Sequence, residues 1–189
     1  MMRFKFIITL AALVSIKVAC AAELTDLNAK LLERDERNSV VSFNFLTEGD
    51  VLTYCLKDVE LSAGTADVFR IFLQGAEELK DETFSKVQLC YKDEVKFYIS
   101  GDDFKTIGSE FEFQNPMYTV RTFPEKVMKP DGTPAFKKHQ GGLLYLARVQ
   151  MQDANEMHKQ WYLQDILDQH AAKLDKQRPT EFADDEDVF

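Results

Sequence analysis

Three histidines are all that the chain carries, and His158 is the one whose neighbours suggest chemistry. Residues three, four and seven apart share a helix face, so Asn155, His158, Tyr162 and Asp165 would form one polar row beside Trp161. In such a row Asp165 would orient His158 as a general base, or the two would share a metal ion. Zinc needs three or four ligands, and only two are on offer. The plainer expectation is a histidine at the edge of the core, satisfied by Tyr162 or a carbonyl, and no metal site is expected.

Arg121 lies in the run Tyr118-Thr119-Val120-Arg121-Thr122-Phe123, among apolar and β-branched residues. A guanidinium is a rigid fork of donors, so in a half-buried place it requires an anionic partner. In a chain with surplus carboxylates the expected partner is an internal Asp or Glu, with an anionic ligand as the alternative. His139-Gln140-Gly141-Gly142 precedes a long glycine-free run and would offer backbone N–H groups to an anion. The phosphate-loop pattern wants Lys-Ser or Lys-Thr next, however, and Leu143-Leu144 follows, so a plain loop-to-helix junction is expected there.

Nucleophile signatures are absent: the sequence has no Gly-x-Ser-x-Gly, no His-Glu-x-x-His and no Cys-x-x-Cys. Asp102, Asp103 and Glu110 read as ordinary residues of a helix and its start rather than as a catalytic carboxylate pair. Catalysis therefore has weak support, and no cofactor is implied.

These side chains need elements to position them. Residues 24 to 37 carry Leu24, Leu27, Leu31 and Leu32 at helical spacing, and Ser39 to Leu46 alternates in the manner of a strand. Val51 to Lys57 completes a first hairpin, and Lys86 to Tyr91 with Val95 to Ser100 makes a second around Lys92-Asp93-Glu94. Between the hairpins, Ala63 to Lys80 reads as a helix with a wide apolar face, and another helix starts at Gly101. Tyr118 to Phe123 is expected to be extended, with Thr122-Phe123-Pro124-Glu125 as a capping box opening a short helix. After Gly141-Gly142, the run from Leu143 to about Gln177 has no glycine or proline, which predicts a long helix. Its apolar stripe shifts at Trp161, as in a bent helix or two helices. The fold class is therefore α+β: a small antiparallel sheet of two hairpins, helices packed on it and a long C-terminal helix.

Cys55 and Cys90 both fall in apolar strand-like runs, so neighbouring strands would present them to each other. Residues 1–21 read as a secretory signal: Arg3 and Lys5 open it, Phe6 to Ile16 is apolar, and Ala19-Cys20-Ala21 is a small-x-small cleavage pattern. Cys20 raises lipidation, but Lys17 stands where a lipoprotein signal wants an aliphatic residue. Cleavage leaves Cys55 and Cys90 alone in an oxidising compartment, where a pair is expected to join.

The formal charge of -9 excludes a nucleic-acid protein, whose affinity comes from neutralising phosphates. Loss of the leader removes three basic residues and no acid, so the 32 acidic side chains of the exported chain face 20 basic ones. Five acids (Glu181, Asp184, Asp185, Glu186 and Asp187) crowd the last nine residues, which read as a disordered acidic tail at 179–189, either solvated or docking on a basic partner or groove. One α+β domain at 22–178 remains, neither nucleic-acid-binding nor membrane-bound after cleavage. The leading expectation is an exported, periplasmic or secreted, non-catalytic protein that binds an envelope or secreted protein partner through the 114–142 segment and the long helix. The alternatives are a small hydrolase using His158 and Asp165, or a carrier whose Phe-rich interior holds a lipophilic ligand.

Overall fold

The structure, a computed structural model, describes residues 22–177. The expected leader and acidic tail lie outside the described residues. Within them, one five-stranded sheet has the order β1-β2-β3-β4-β5. β2 (Val41–Glu48) and β3 (Val51–Val59) form the first hairpin, turning at Gly49 with φ +62°. β4 (Lys86–Tyr91) and β5 (Glu94–Ser100) form the second, and its turn places Lys92 and Asp93 at φ 48° and 68°. Two successive residues in the left-handed region give the twist that a tight hairpin requires.

The α+β class is as the sequence indicates, but the sheet is mixed rather than wholly antiparallel. β3 and β4 run parallel, because α2 (Thr65–Glu78) carries the chain back across the sheet before the second hairpin starts. Their register sets Cys55 directly opposite Cys90, and a disulfide joins the two with Cα atoms 4.4 Å apart. Both cysteines are buried.

Strand alternation gives the sheet one apolar face. Val41, Phe43 and Phe45, then Leu52, Tyr54 and Leu56, then Val87, Leu89 and Tyr91 are buried in turn, and α2 lays Val68, Phe69, Phe72 and Ala76 against the same core. Aromatic rings tie the layers together. Phe45 stacks on Tyr54 at 4.8 Å, Phe72 meets Tyr54, Phe104 and Phe123 edge-on or tilted, and the Trp161 indole donates to the Cys90 carbonyl at 3.1 Å. Burying each such side chain is worth roughly 1.5–3 kcal/mol. α3 (Gly101–Glu110) approaches α2 closely enough that a Cβ on Gly108 would lie 2.0 Å from the Ala76 carbonyl oxygen.

Polar side chains fix the N-terminal corner. α1 (Thr25–Arg34) is followed by a short 3-10 turn over Glu36–Val40 that buries Asn38. The Asn38 amide donates to the Leu31 carbonyl and to Gln74, both at 2.7 Å, while its oxygen accepts from Arg70 Nε at 3.1 Å. Arg70 also bonds Asp35 and Asp67, so α1, the turn and α2 share one charged network.

One element differs in kind from its sequence reading. Tyr118–Phe123 is not extended: Pro116–Thr122 is a seven-residue helix, α4. Asn115 accepts from the Met117 N–H at 2.9 Å and Pro116 occupies the first turn, a strong start signal that overrides the β-branched residues downstream. Thr122 makes no side-chain cap, so the expected capping box is not formed, and Phe123–Lys126 is a 3-10 turn. The long helix does form. α5 (Leu143–His158) passes into a π-helical turn at Lys159–Leu163 and then α6 (Gln164–Gln177), with right-handed helical dihedrals at both junctions. The wide turn explains the shifting stripe: its extra residue rotates everything downstream, and it lets consecutive Trp161 and Tyr162 both face the core.

Candidate surface site between two helices

The 114–142 segment and the long helix do meet, because α4 packs against the N-terminal half of α5. Three connected depressions surround that contact. One cleft of about 600 Å³ is walled by α3, α4 and α5 and includes Glu110, Tyr118, Arg121, Lys138, Leu143 and Gln150. It shares Asp103, Glu125, Lys126 and Lys138 with a second cleft of about 980 Å³ beneath the Met128–Lys138 strap. A third groove of about 490 Å³ runs between α4 and α5, lined by Met117, Arg121, Ala147, Arg148, Met151 and Asn155 with Gln152.

Some charges of the first two clefts are matched. Lys126 pairs with Asp103, and Gln150 donates to Glu125 at 2.7 Å. Burial alone would raise the Asp103 carboxyl, but its bonds to Lys126 and Ser100 and the nearby Lys138 charge hold it below the ordinary carboxylate value.

Arg121 is not among them. Its sequence-expected carboxylate is absent: among the described residues it makes no ion pair, and its buried Nε has no hydrogen-bond partner. The guanidinium lies instead over the Tyr118 ring at 5.8 Å. The geometry has a simple cause. Coiling 116–122 into a helix turns Arg121 towards α5, where Arg148 is its charged neighbour in the groove rather than an acid.

The rim of this region is apolar. Phe113, Met117, Tyr118, Leu143, Leu144 and Tyr145 are all exposed, Leu144 at 86% and Phe113 at 77%. Such a concentration at one end of two packed helices is what a protein-binding surface displays. The sequence carries a signal for it outside the apolar stripe of the long helix. Leu143-Leu144-Tyr145 are three consecutive large apolar residues, and a helix cannot turn all three inward.

The polar row expected around His158 is dispersed. His158 is buried between Phe69, Trp161 and Tyr162, with ring centroids at 6.2, 6.1 and 5.8 Å. Among the described residues its Nδ1 and the buried Tyr162 hydroxyl have no hydrogen-bond partner, so Tyr162 touches the imidazole without satisfying it. Burial pushes the His158 pKa down to about 4 and raises that of Tyr162. Asp165 lies beyond the π turn and pairs with Lys96 at 3.1 Å, while Asn155 is exposed on the α4–α5 groove. His158, Asp165 and Arg121 thus occupy a core, a sheet-side ion pair and a surface groove, so no single cleft assembles the hydrolase set.

His139 is held by a carboxylate of the chain itself. Its Nε2 meets Asp153 Oδ2 at 2.7 Å, which ties the approach to α5 onto the helix. No hydroxyl or thiol bonds to His139 among the described residues. Likewise, among the described residues no group of three or more His, Cys, Asp or Glu is placed to hold a metal ion, and no helix is long and apolar enough to cross a membrane. The phenylalanine-rich interior packs its rings on one another, and the three depressions described above open at the surface. Comparison with known proteins gave no matching family model, no matching curated protein and no matching solved structure.

Proposed function

We propose that this is an exported, periplasmic or secreted, non-catalytic protein that binds a protein partner through α4, the segment around it and the first half of α5. One observation carries the reading: six large apolar side chains, from Phe113 to Tyr145, are exposed around a contact between two helices and beside two arginines without carboxylates. Their burial by a partner would bring apolar anchors at the centre and cationic groups at the margin, the usual division of labour in an interface. Export is supported by the leader sequence and by the Cys55–Cys90 disulfide, a bond that persists in oxidising compartments. Removal of residues 1–21 would leave Ala22 at the amino end, and Ala22 is the residue of β1 (Ala22–Glu23) that pairs with Thr47.

A photoreactive side chain at Leu144, introduced in intact cells, tests the binding surface, with exposed Ser39 as the control position. The expected result is a discrete crosslink to another protein from position 144 and none from 39. Equal labelling at both, or none, would sink the reading. Amino-terminal sequencing of the envelope fraction is expected to start at Ala22; a cytosolic chain retaining Met1 contradicts export.

A further inference from the structure

Arg121 and Arg148 stand on facing helices of the α4–α5 groove, and among the described residues neither meets a carboxylate within ion-pair distance. This is unusual in a chain with 32 acidic side chains, where Arg34, Arg37 and Arg70 all find acids. Between the two guanidiniums the groove is lined by Met117, Ala147 and Met151, which are adaptable apolar surfaces. No acid lines it. Its occupant therefore has carboxylates alternating with, or flanked by, large apolar side chains. The chain itself contains such a segment, Glu181-Phe182-Ala183-Asp184-Asp185-Glu186-Asp187-Val188-Phe189.

We propose that residues 181–189 of a second copy dock in the α4–α5 groove, with carboxylates on Arg121 and Arg148 and a phenylalanine among Met117, Ala147 and Met151. The source is a second copy on grounds of reach. Helical geometry persists from Arg148 through the π turn to Gln177, a rise of roughly 43 Å at 1.5 Å per residue. Asp187 follows Gln177 by ten residues, which span at most about 36 Å when fully extended. Even fully extended, the backbone at Asp187 thus stops about 7 Å short of the level of its own Arg148, a gap that only stretched side chains would close and at one acid alone, whereas the acids of a neighbour meet no such limit. Because the groove belongs to the surface proposed above for a protein partner, the inference rests on that reading and makes the segment a competitor for the same place.

Sedimentation velocity on the chain from Ala22 to Phe189, over a range of concentrations at low and high salt, tests it. The expected result is reversible self-association that weakens with salt and that falls roughly tenfold when Asp184, Asp185, Glu186 and Asp187 are replaced together by their amides. Arg148→Glu, at an exposed position, is expected to weaken association equally, and combining it with Asp185→Arg and Asp187→Arg to restore it. A chain that stays monomeric throughout, or whose association is unchanged by the amide variant or by Arg148→Glu, overturns the proposal. Neither outcome touches the Leu144 crosslink to another protein, so the two readings fail separately.

Discussion

His158 shows what a polar residue costs when its expected partners are elsewhere. Because burial lowers its pKa to about 4, the unfolded chain binds a proton that the folded chain refuses as pH falls below about 6.5. Its contribution is therefore intact above that value and is lost on the way down to about 4. Between ~pH 7 and ~pH 5 the native protein is expected to lose about 2 kcal/mol that His158→Phe does not lose, measured as the difference in urea unfolding free energies. Equal pH dependence in both proteins would show that the imidazole is not buried neutral. Asn38 represents the opposite case, a buried amide with every bond made. Asn38→Ala leaves the Leu31 carbonyl and Arg70 short of partners and is expected to cost about 3 kcal/mol, read from the same unfolding curves. The sequence places His158 at the edge of the core but offers it Tyr162 or a carbonyl as a partner, and nothing in it singles out Asn38. The row Asn155, His158, Tyr162, Asp165 assumes uninterrupted α-helix, and the π turn keeps Tyr162 beside the imidazole but carries Asp165 away to Lys96.

Elements were more legible than sites wherever period and length agreed. Both hairpins, α2 and the long helix follow directly from apolar spacing in the sequence, since one buried face demands one period. α4 did not, because seven residues are too few for periodicity to distinguish helix from strand and the deciding contact is the Asn115 cap. The parallel β3–β4 pairing was also hidden, since it depends on the path α2 takes rather than on either strand. That pairing is what the disulfide holds. Its loop of 35 residues in sequence separation predicts that Cys55→Ala/Cys90→Ala loses about 3–4 kcal/mol by thermal or urea unfolding. A loss below ~1 kcal/mol would mean that the unfolded chain is already restrained without the bond. Where α2 and α3 touch, Gly108→Ala pushes a methyl group at the Ala76 carbonyl, and the helices must part. A destabilisation of about 2 kcal/mol is expected, with Ser109→Ala on the exposed side as the near-neutral comparison.

At the scale of the whole molecule, the core and the surface proposed for recognition occupy different regions. The core lies between the sheet, α2, α3 and the π turn, whereas the exposed apolar rim sits on α4 and the start of α5. Substitutions on that rim are therefore expected to separate the two properties. Leu144→Glu should leave the unfolding midpoint within about 0.5 kcal/mol of native while abolishing capture of the partner that crosslinks at this position. Loss of stability together with binding would instead place Leu144 in the fold. The sequence indicated this surface only as a region, since an exposed leucine and a buried one look alike until the opposing helix face is known.

The two margins of the sheet bear on how the protein behaves when crowded. On the β2 side, β1 pairs with Leu46 and Thr47, the Leu24 N–H bonds the Phe45 carbonyl at 2.8 Å, and Asn28 accepts from the Phe45 N–H at 3.0 Å. On the β5 side, Tyr98 exchanges both backbone bonds with Met128, at 3.0 and 2.8 Å. Neither margin presents an uninterrupted ladder on which another strand could grow. Concentrated solutions should therefore cluster through helix surfaces, dissolve again on dilution, and resist conversion to cross-β fibrils.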